Sequence, residues 1–518
     1  MATLLERPSA LDALTRAVGA EALSTDPATL TLHGQDVFTR GPDPLAVFRP
    51  RDIAQLASGV RAAAEAGLTV VPRGGGMSYT SGYLPSTAGA LLVDTGAMDR
   101  ILAIDEVDMT VTVETGVTWA ALYAALHPRG LRVPLWGTLS GCKATVGGGM
   151  SQNGLFWGAA RGSIAPTALS FDVVLADGSV VRTGSAVLRP FGPDVTGLFA
   201  ADCGAFGIKG HVTLPLIAEA GALAYGSFAF DAPTQFTAAM SAIARAGLAS
   251  ECFGFDPFLQ AQRMKRDSLG ADAKQLLGMM KAQGGFWKAV KEGARVVAAG
   301  RSFLDEASFS IHTIAEGRSQ AAADADMAAI RALALDAGGR EVENTIPKVL
   351  RANPFPPVNS MLGPSGERWA PVHGIVAHAR AQATIEAVIA LYEAHAGDMH
   401  RLGVGAGYMF LTVGTTGFLI EPVFYWPDAQ DALHKASVEP AHLARLTDFP
   451  AAPEARALVE RLRAEVVAIF GRMGAAHFQI GRTYPLRERC DPHAWAVLEA
   501  VKAAVDPDGR MNPGVLGL

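Results

Sequence analysis

The chain is short of the features that mark several large classes of protein. Its 518 residues include four cysteines, Cys142, Cys203, Cys252 and Cys490, scattered without a C-x-x-C pair. That spacing argues against a structural zinc site, a cysteine-ligated iron–sulfur cluster and a disulfide framework. Basic runs of five or more are missing and the formal net charge is -6, so nucleic acid is not an expected partner. No uninterrupted apolar stretch approaches the ~18 residues of a membrane span. The opening MATLLERPSALDAL carries early charge and lacks the apolar core of a secretory signal. Internal repeats and low-complexity tails are also lacking. The expectation is a cytoplasmic protein with reduced thiols.

Glycine is plentiful. The chain has 56, part of them in GGG runs at 74–76 and 147–149, which points to tight backbone contacts. With 49% hydrophobic residues, a chain of this length buries a large core, divided by prior among two to four domains.

Residues 48–215 alternate short helical and β patterns. Ile53, Leu56, Val60 and Ala64 share a helical face that closes at Gly67. LTVV then reads as a buried strand, and VDMTVTVET as a half-buried one with Met109, Val111 and Val113 inward. FDVVLADGSVVRT places Asp177-Gly178 between two β-branched runs, a strong hairpin signal. Beyond about residue 220 come Ala-rich helical runs, a basic, glycine-spotted segment at 263–302 and the strand-like GYMFLTVGTTGFLIEPVFYW at 407–426. The Pro/Gly/Asn-rich NPFPPVNSMLGPSG at 353–366 predicts a long loop near a site or a junction. Leu462, Val466, Ile469 and Phe470 form a helical stripe. Asp491-Pro492 opens a further helix that stops before Pro507.

The first glycine run lies in VPRGGGMSYTSGY, just after the LTVV strand. A Rossmann site requires G-x-G-x-x-G opening a helix, but here turn formers follow the glycines. Backbone N–H groups in such a turn can still form an anion nest. Four further segments stand in order: LSGCKATVGGGMSQNG, RGSIAPTALSFDVVLADGSVV, DVTGLFAADCGAFGIKGHVTL and DPDGRMNPGVLGL. Together the five resemble the FAD-linked oxidase superfamily of vanillyl-alcohol oxidase and p-cresol methylhydroxylase, over roughly residues 45–220 and again at the C-terminus.

The resemblance implies an α+β fold. A two-subdomain FAD-binding domain spans 1–222, an antiparallel-sheet cap domain flanked by helices spans 223–470, and 471–518 returns to the flavin site. It assigns Arg73, Gly74, Gly75, Gly76, Met77 and Ser78 to the FAD diphosphate. Gly141, Thr145, Gly147, Gly148, Asn153 and Gly154 line the other side of the cofactor. Gly207 and Ile208 run beside it, and Asn512 belongs to the closing motif. An extended dianionic diphosphate needs many donors at short range, and Cβ atoms would block them.

Met77 stands where many relatives carry a histidine bonded to the flavin. A thioether does not form that bond, and a flavin-linking cysteine in some relatives sits one residue from the place of Cys142. Non-covalent FAD is therefore expected.

On the substrate side, GAAHFQIGRTYPLRE resembles the C-terminal half of D-lactate dehydrogenase-like flavoenzymes, which implies His477 as general base. Arg482 is the candidate for holding a carboxylate or a phenolate. Tyr408 is the candidate phenol-activating tyrosine, with Tyr484 as an alternative. No metal is expected, because Thr412 and Leu419 stand where metal-dependent relatives place ligands. The pairs His373/His378 and His395/His400 read as structural or solvent-facing.

The implied activity is hydride abstraction from an alcohol, 2-hydroxy acid or aromatic alcohol or phenol. Electrons pass to oxygen, a quinone or a cytochrome. A homodimer is allowed but not specified. The alternative is a non-redox flavoenzyme of the alkylglycerone-phosphate-synthase type, and a third reading is a flavin-binding protein without turnover.

Overall fold

The computed structural model describes residues 7–266 and 309–518, so most of the basic segment at 263–302 lies outside the described residues. The fold is α+β. Its first sheet has four strands, ordered Leu23–Ser24, Ala46–Phe48, Leu91–Asp94, Val70–Arg73. The last three are parallel, which suits the helical crossover Ile53–Glu65 between them. That helix begins where the Asp52 side chain accepts from the Gln55 amide, and it buries Leu56, Val60 and Ala63.

A second, five-stranded antiparallel sheet runs Ile101–Asp105, Thr110–Glu114, Ile208–Pro215, Ser170–Val174, Val180–Arg182. Val111 and Val113 are buried, as the alternation in VDMTVTVET predicts. The predicted hairpin is present, with Gly178 at a φ of 80° in its turn. Residues Val146–Gln152 of the second glycine segment form a short helix capped by Thr145.

The third sheet is eight-stranded. Its centre pairs Gly405–Val413 with Gly417–Trp426, and Glu251–Phe255 joins the other edge of the first of these. Residues of even number along the central hairpin, among them Tyr408, Phe410, Phe418, Phe424 and Trp426, pack under a layer of helices. That layer includes Pro233–Ala246, Gln320–Asp336, His378–Ala394 and Pro453–Arg472. Odd-numbered Leu411, Leu419, Val423 and Tyr425 face the other way, into a core shared with Trp119, Trp157 and Phe171 of the N-terminal half. Each fully buried side chain of this size contributes roughly 1.5–3 kcal/mol.

The C-terminal helix Pro492–Val505 starts at Asp491, whose side chain accepts from the amides of His493 and Ala494. The chain then runs back to the first sheet, where the Val70 amide donates to the Arg510 carbonyl and the Asn512 amide to the Val70 carbonyl. Among the described residues, no helix is long and apolar enough to cross a membrane.

Candidate functional site: a glycine-walled cleft opening into an apolar cavity

The strand Val70–Arg73 ends in the first glycine run, and Gly76 takes a φ of 70° that suits only glycine without strain. The backbone N–H groups of residues 74–80 donate to no acceptor among the described residues. A run of unsatisfied amides at the end of a buried strand is costly unless an anion or water completes it. The side chains nearby are already committed. Arg73 donates to the carbonyls of His33 and Gln35, and Ser78 donates to Gln479 Oε1 at 2.8 Å.

Across from this loop stands the helix Val146–Gln152. A Cβ on Gly75 would lie 1.9 Å from the Lys143 carbonyl oxygen, and one on Gly74 would lie 2.5 Å from Thr145 Oγ1. A Cβ on Gly147 would strike Thr115 at 2.4 Å. Gly74 and Gly75 therefore let the two loops touch each other, and Gly147 lets the helix lie on Thr115. Gly148 differs, because its Cβ would meet only Thr145 Oγ1, at 3.2 Å.

Three adjoining cavities follow the two loops. The first, about 60 Å³, has Gly207, Ile208 and Lys209 in its wall. Lys209 is buried and pairs with Asp202, and its ammonium also donates to Ser151. The second, about 70 Å³, is bounded by residues 74–78 and by Thr145, Gly148 and Gly154. Gly74, Tyr83, Gly148 and Gln152 border both. The third, about 170 Å³, meets the second at Met77, Thr138, Ser140 and Gln479. It is walled by the odd-numbered face of the central hairpin and by Val358, Ser360 and Met361 of the Pro/Gly-rich loop.

Most of the residues expected at the cofactor thus line the joined cavities. Three do not. Gly141 makes room for the Phe355 ring, which a Cβ would approach to 2.3 Å. Asn153 is the left-handed cap of the short helix, with Oδ1 accepting from the Ala165 amide. Asn512 is fully buried behind the cleft and donates to the Gly82 and Cys203 carbonyls, both at 2.8 Å.

The expected catalytic residues stand elsewhere. Tyr408 lies on the helix-facing side of its strand beside Tyr392, because its even position turns it away from the cavity. Arg482 commits both terminal nitrogens as a clamp on the carbonyls of Ser81, Leu84 and Pro513 and on Asn512 Oδ1, and its buried Nε has no hydrogen-bond partner among the described residues. His477 lines none of the three cavities. Its Nδ1 lies 2.8 Å from the His373 carbonyl, its Nε2 lies 2.9 Å from the Arg489 guanidinium, and its ring stacks on Tyr484. Burial pushes its pKa down to about 4, so the ring is neutral, with its accepting nitrogen already engaged.

His373 is also buried, and burial holds it well below the usual histidine range. Its Nε2 accepts from the amides of Phe478 and Gln479 at 3.3 and 3.4 Å, and Phe478 and Gln479 both line the third cavity. Among the described residues no cluster of three or more His, Cys, Asp or Glu could hold a metal.

The polar groups at the third cavity were not foreseen. Tyr79 donates to Glu421 Oε1 at 2.8 Å, joining the glycine loop to the middle of the central hairpin. A signal for Glu421 existed: it is the lone charge in the apolar strand GFLIEPVFYW. Tyr79 stands in the same loop as the expected phosphate donors.

Residues 44–184 match the FAD binding domain family, and residues 438–516 match the family of FAD linked oxidases, C-terminal domain. The chain thus carries segments similar to the FAD binding domain and to the C-terminal domain of FAD linked oxidases. Its cofactor is FAD, and the unsatisfied amides of residues 74–80 and the bare Gly148 fit that group.

Similar curated proteins include glycolate oxidase subunit GlcD of Bacillus subtilis, 32% identical over 34% of this chain and 37% of that one. A probable mitochondrial D-lactate dehydrogenase of Danio rerio is 30% identical over 38% of this chain and 40% of its own. D-2-hydroxyglutarate dehydrogenase of Xanthomonas citri is 29% identical over 39% and 43%. The matched stretch is thus less than half of each relative's length.

Solved structures share the fold over the whole chain. p-Cresol methylhydroxylase with substrate bound has a TM-score of 0.73 at 16% identity, covering 99% of this chain and 96% of that one. 4-Ethylphenol oxidase from Gulosibacter chungangensis has 0.70 at 18%, covering 100% and 98%. Alkyldihydroxyacetonephosphate synthase has 0.70 at 14%, covering 99% and 86%.

Proposed function

We propose that this protein is an FAD-dependent oxidoreductase acting on a C–H group that bears, or is conjugated to, a hydroxyl. One observation carries the reading: a cleft lined by free amides leads, through Met77 and Gln479, into an apolar cavity whose polar groups include the Tyr79–Glu421 pair. When bound, FAD supplies the hydride acceptor, so an alcohol gives up its C–H hydrogen with both electrons, loses its O–H proton to the protein and leaves as a carbonyl compound.

The chain's own residues set the stage for that reaction. The amides of residues 74–80 hold the diphosphate, and Asn512 and Arg482 brace the loop from behind. Met409, Leu411, Leu419 and Val423 keep water from the reacting carbon. Met77 offers no nucleophile for a covalent link. Cys142 is half-buried outside the three cavities, and burial raises its thiol pKa, which supports a dissociable cofactor. The electron acceptor belongs to the same proposal: oxygen, a quinone or a cytochrome.

A non-redox synthase of the alkylglycerone-phosphate type shares the fold, but a phosphate ester needs cationic partners. Among the described residues, none that lines the third cavity is Arg, Lys or His. The deciding experiment is anaerobic addition of hydroxy acids and of aliphatic and aromatic alcohols to the purified yellow protein. Bleaching near 450 nm by at least one hydroxyl compound is the expected result. A flavin that stays oxidised throughout contradicts the oxidoreductase reading. In the same assay His477→Phe is expected to bleach at a rate within about fivefold of the parent, because the ring does not reach the cavity.

A further inference from the structure

We propose that the Tyr79–Glu421 pair is the hydroxyl-binding point and proton acceptor of the third cavity, and that the cavity admits neutral alcohols with an apolar or aromatic body while rejecting hydroxy acids. This rests on the oxidoreductase reading above and narrows its substrate class.

Period-2 geometry places Leu419, Glu421, Val423 and Tyr425 in one row along the cavity wall, with the carboxylate between aliphatic neighbours. A carboxylate in such a row is expensive to bury, so the strand retains it for what it contacts. It accepts a hydrogen bond from Tyr79, whose phenol stays protonated: burial first, and the neighbouring Glu421 next, raise its pKa well above the ordinary value. Tyr79 therefore acts as a fixed donor that holds the Glu421 side chain in place at the cavity wall.

The rest of the wall decides what can approach. Met77, Leu155, Phe156, Met361, Trp369 and Tyr425 supply apolar and aromatic surface around the pair. Arg368, next to the lining residue Trp369 in the chain, is buried and pairs with Asp431. Arg482 clamps the C-terminal loop, and buried Arg463 donates to the carbonyls of Tyr79 and Pro371 under the Phe38 ring.

A substrate carboxylate entering this cavity would meet the Glu421 side chain and, among the described residues, no cationic lining group. Like charges in an apolar pocket repel strongly, and the ion would also lose its hydration. A neutral alcohol suffers neither cost. Its O–H donates to Glu421, which takes the proton as the C–H hydrogen leaves with its electron pair to bound FAD.

The test measures binding and chemistry separately, on the FAD-loaded protein. Calorimetric titration with benzyl alcohol and with mandelate, its α-carboxylate analogue, is expected to favour benzyl alcohol by at least ~100-fold. In Glu421→Gln, which keeps an acceptor for Tyr79, mandelate binding should strengthen by ~10-fold or more while the yellow colour is retained. Anaerobic flavin reduction by benzyl alcohol should slow by ~100-fold or more, the usual size of a general-base contribution. Tyr79→Phe, with the same colour check, should weaken benzyl alcohol binding and leave mandelate excluded.

Equal binding of the two ligands by the parent protein, or an unchanged ratio in Glu421→Gln, overturns the proposal. Bleaching by mandelate but not by benzyl alcohol overturns it too, yet leaves the oxidoreductase reading standing. A flavin untouched by any alcohol or hydroxy acid removes both.

Discussion

A Gly148→Ala protein is expected to fold, to melt no lower than its parent, and to lose most of its FAD. Gly75→Ala is expected to lose both FAD and stability. The contrast follows from what each added methyl meets. At Gly75 the Cβ would sit 1.9 Å from a backbone carbonyl oxygen, so the two glycine loops must part. Overpacking of this kind typically costs about 1–3 kcal/mol, and a backbone neighbour that cannot rotate away puts this site at the upper end.

At Gly148 the Cβ would touch only a hydroxyl oxygen at 3.2 Å and otherwise project into space shared by the first two cavities. Alanine in that helix even improves its propensity, by up to about 1 kcal/mol over glycine. Thermal melting of the flavin-stripped proteins and the flavin-to-protein absorbance ratio separate the two cases. A Gly148→Ala protein with a full complement of FAD would show that the diphosphate does not lie against this helix.

Replacing Arg482 by methionine is expected to cost about 3 kcal/mol of stability or more, because each buried acceptor left unsatisfied costs about 1–3 kcal/mol. The guanidinium holds three backbone carbonyls and the Asn512 amide oxygen, and it links residues nearly four hundred positions apart. A carboxylate-binding arginine would behave differently. Its loss would raise KM for an acidic substrate and leave the melting temperature almost unchanged. Denaturant titration of the stripped protein, beside the FAD content as purified, distinguishes these outcomes.

The amino-acid sequence spoke most clearly where local rules suffice. Alternation in VDMTVTVET, the Asp177-Gly178 turn and the Asp491-Pro492 cap each correspond to an observed strand, hairpin and helix. The glycine runs pointed to a cofactor cleft because removing side chains has few other uses at the end of a buried strand. Part of their explanation needed three dimensions: Gly75 is bare so that one loop can lie on another, and Gly147 so that the helix can lie on Thr115.

The chemical groups were harder to place, because facing is a tertiary property. Period-2 geometry puts Tyr408 and Phe410 on one face of their strand, yet it does not say whether the helices or the cavity take that face. His477 and Arg482 have reactive side chains near the right part of the chain. Only the partners supplied by His373, Arg489, Ser81, Leu84 and Asn512 show that their hydrogen-bonding capacity is used within the fold. The carboxylate that does reach the cavity sits in the most apolar strand of the hairpin, where its charge was itself the clue.

The central claim is that free amides in the first glycine loop grip a diphosphate, and it is tested most directly by titrating the flavin-stripped protein with FAD and with riboflavin while following flavin fluorescence. The two share the ring system, and only FAD carries the diphosphate and its adenosine. Several charge-assisted hydrogen bonds are at stake, so FAD is predicted to bind at least ~100-fold more tightly. Equal affinity for riboflavin would contradict the account.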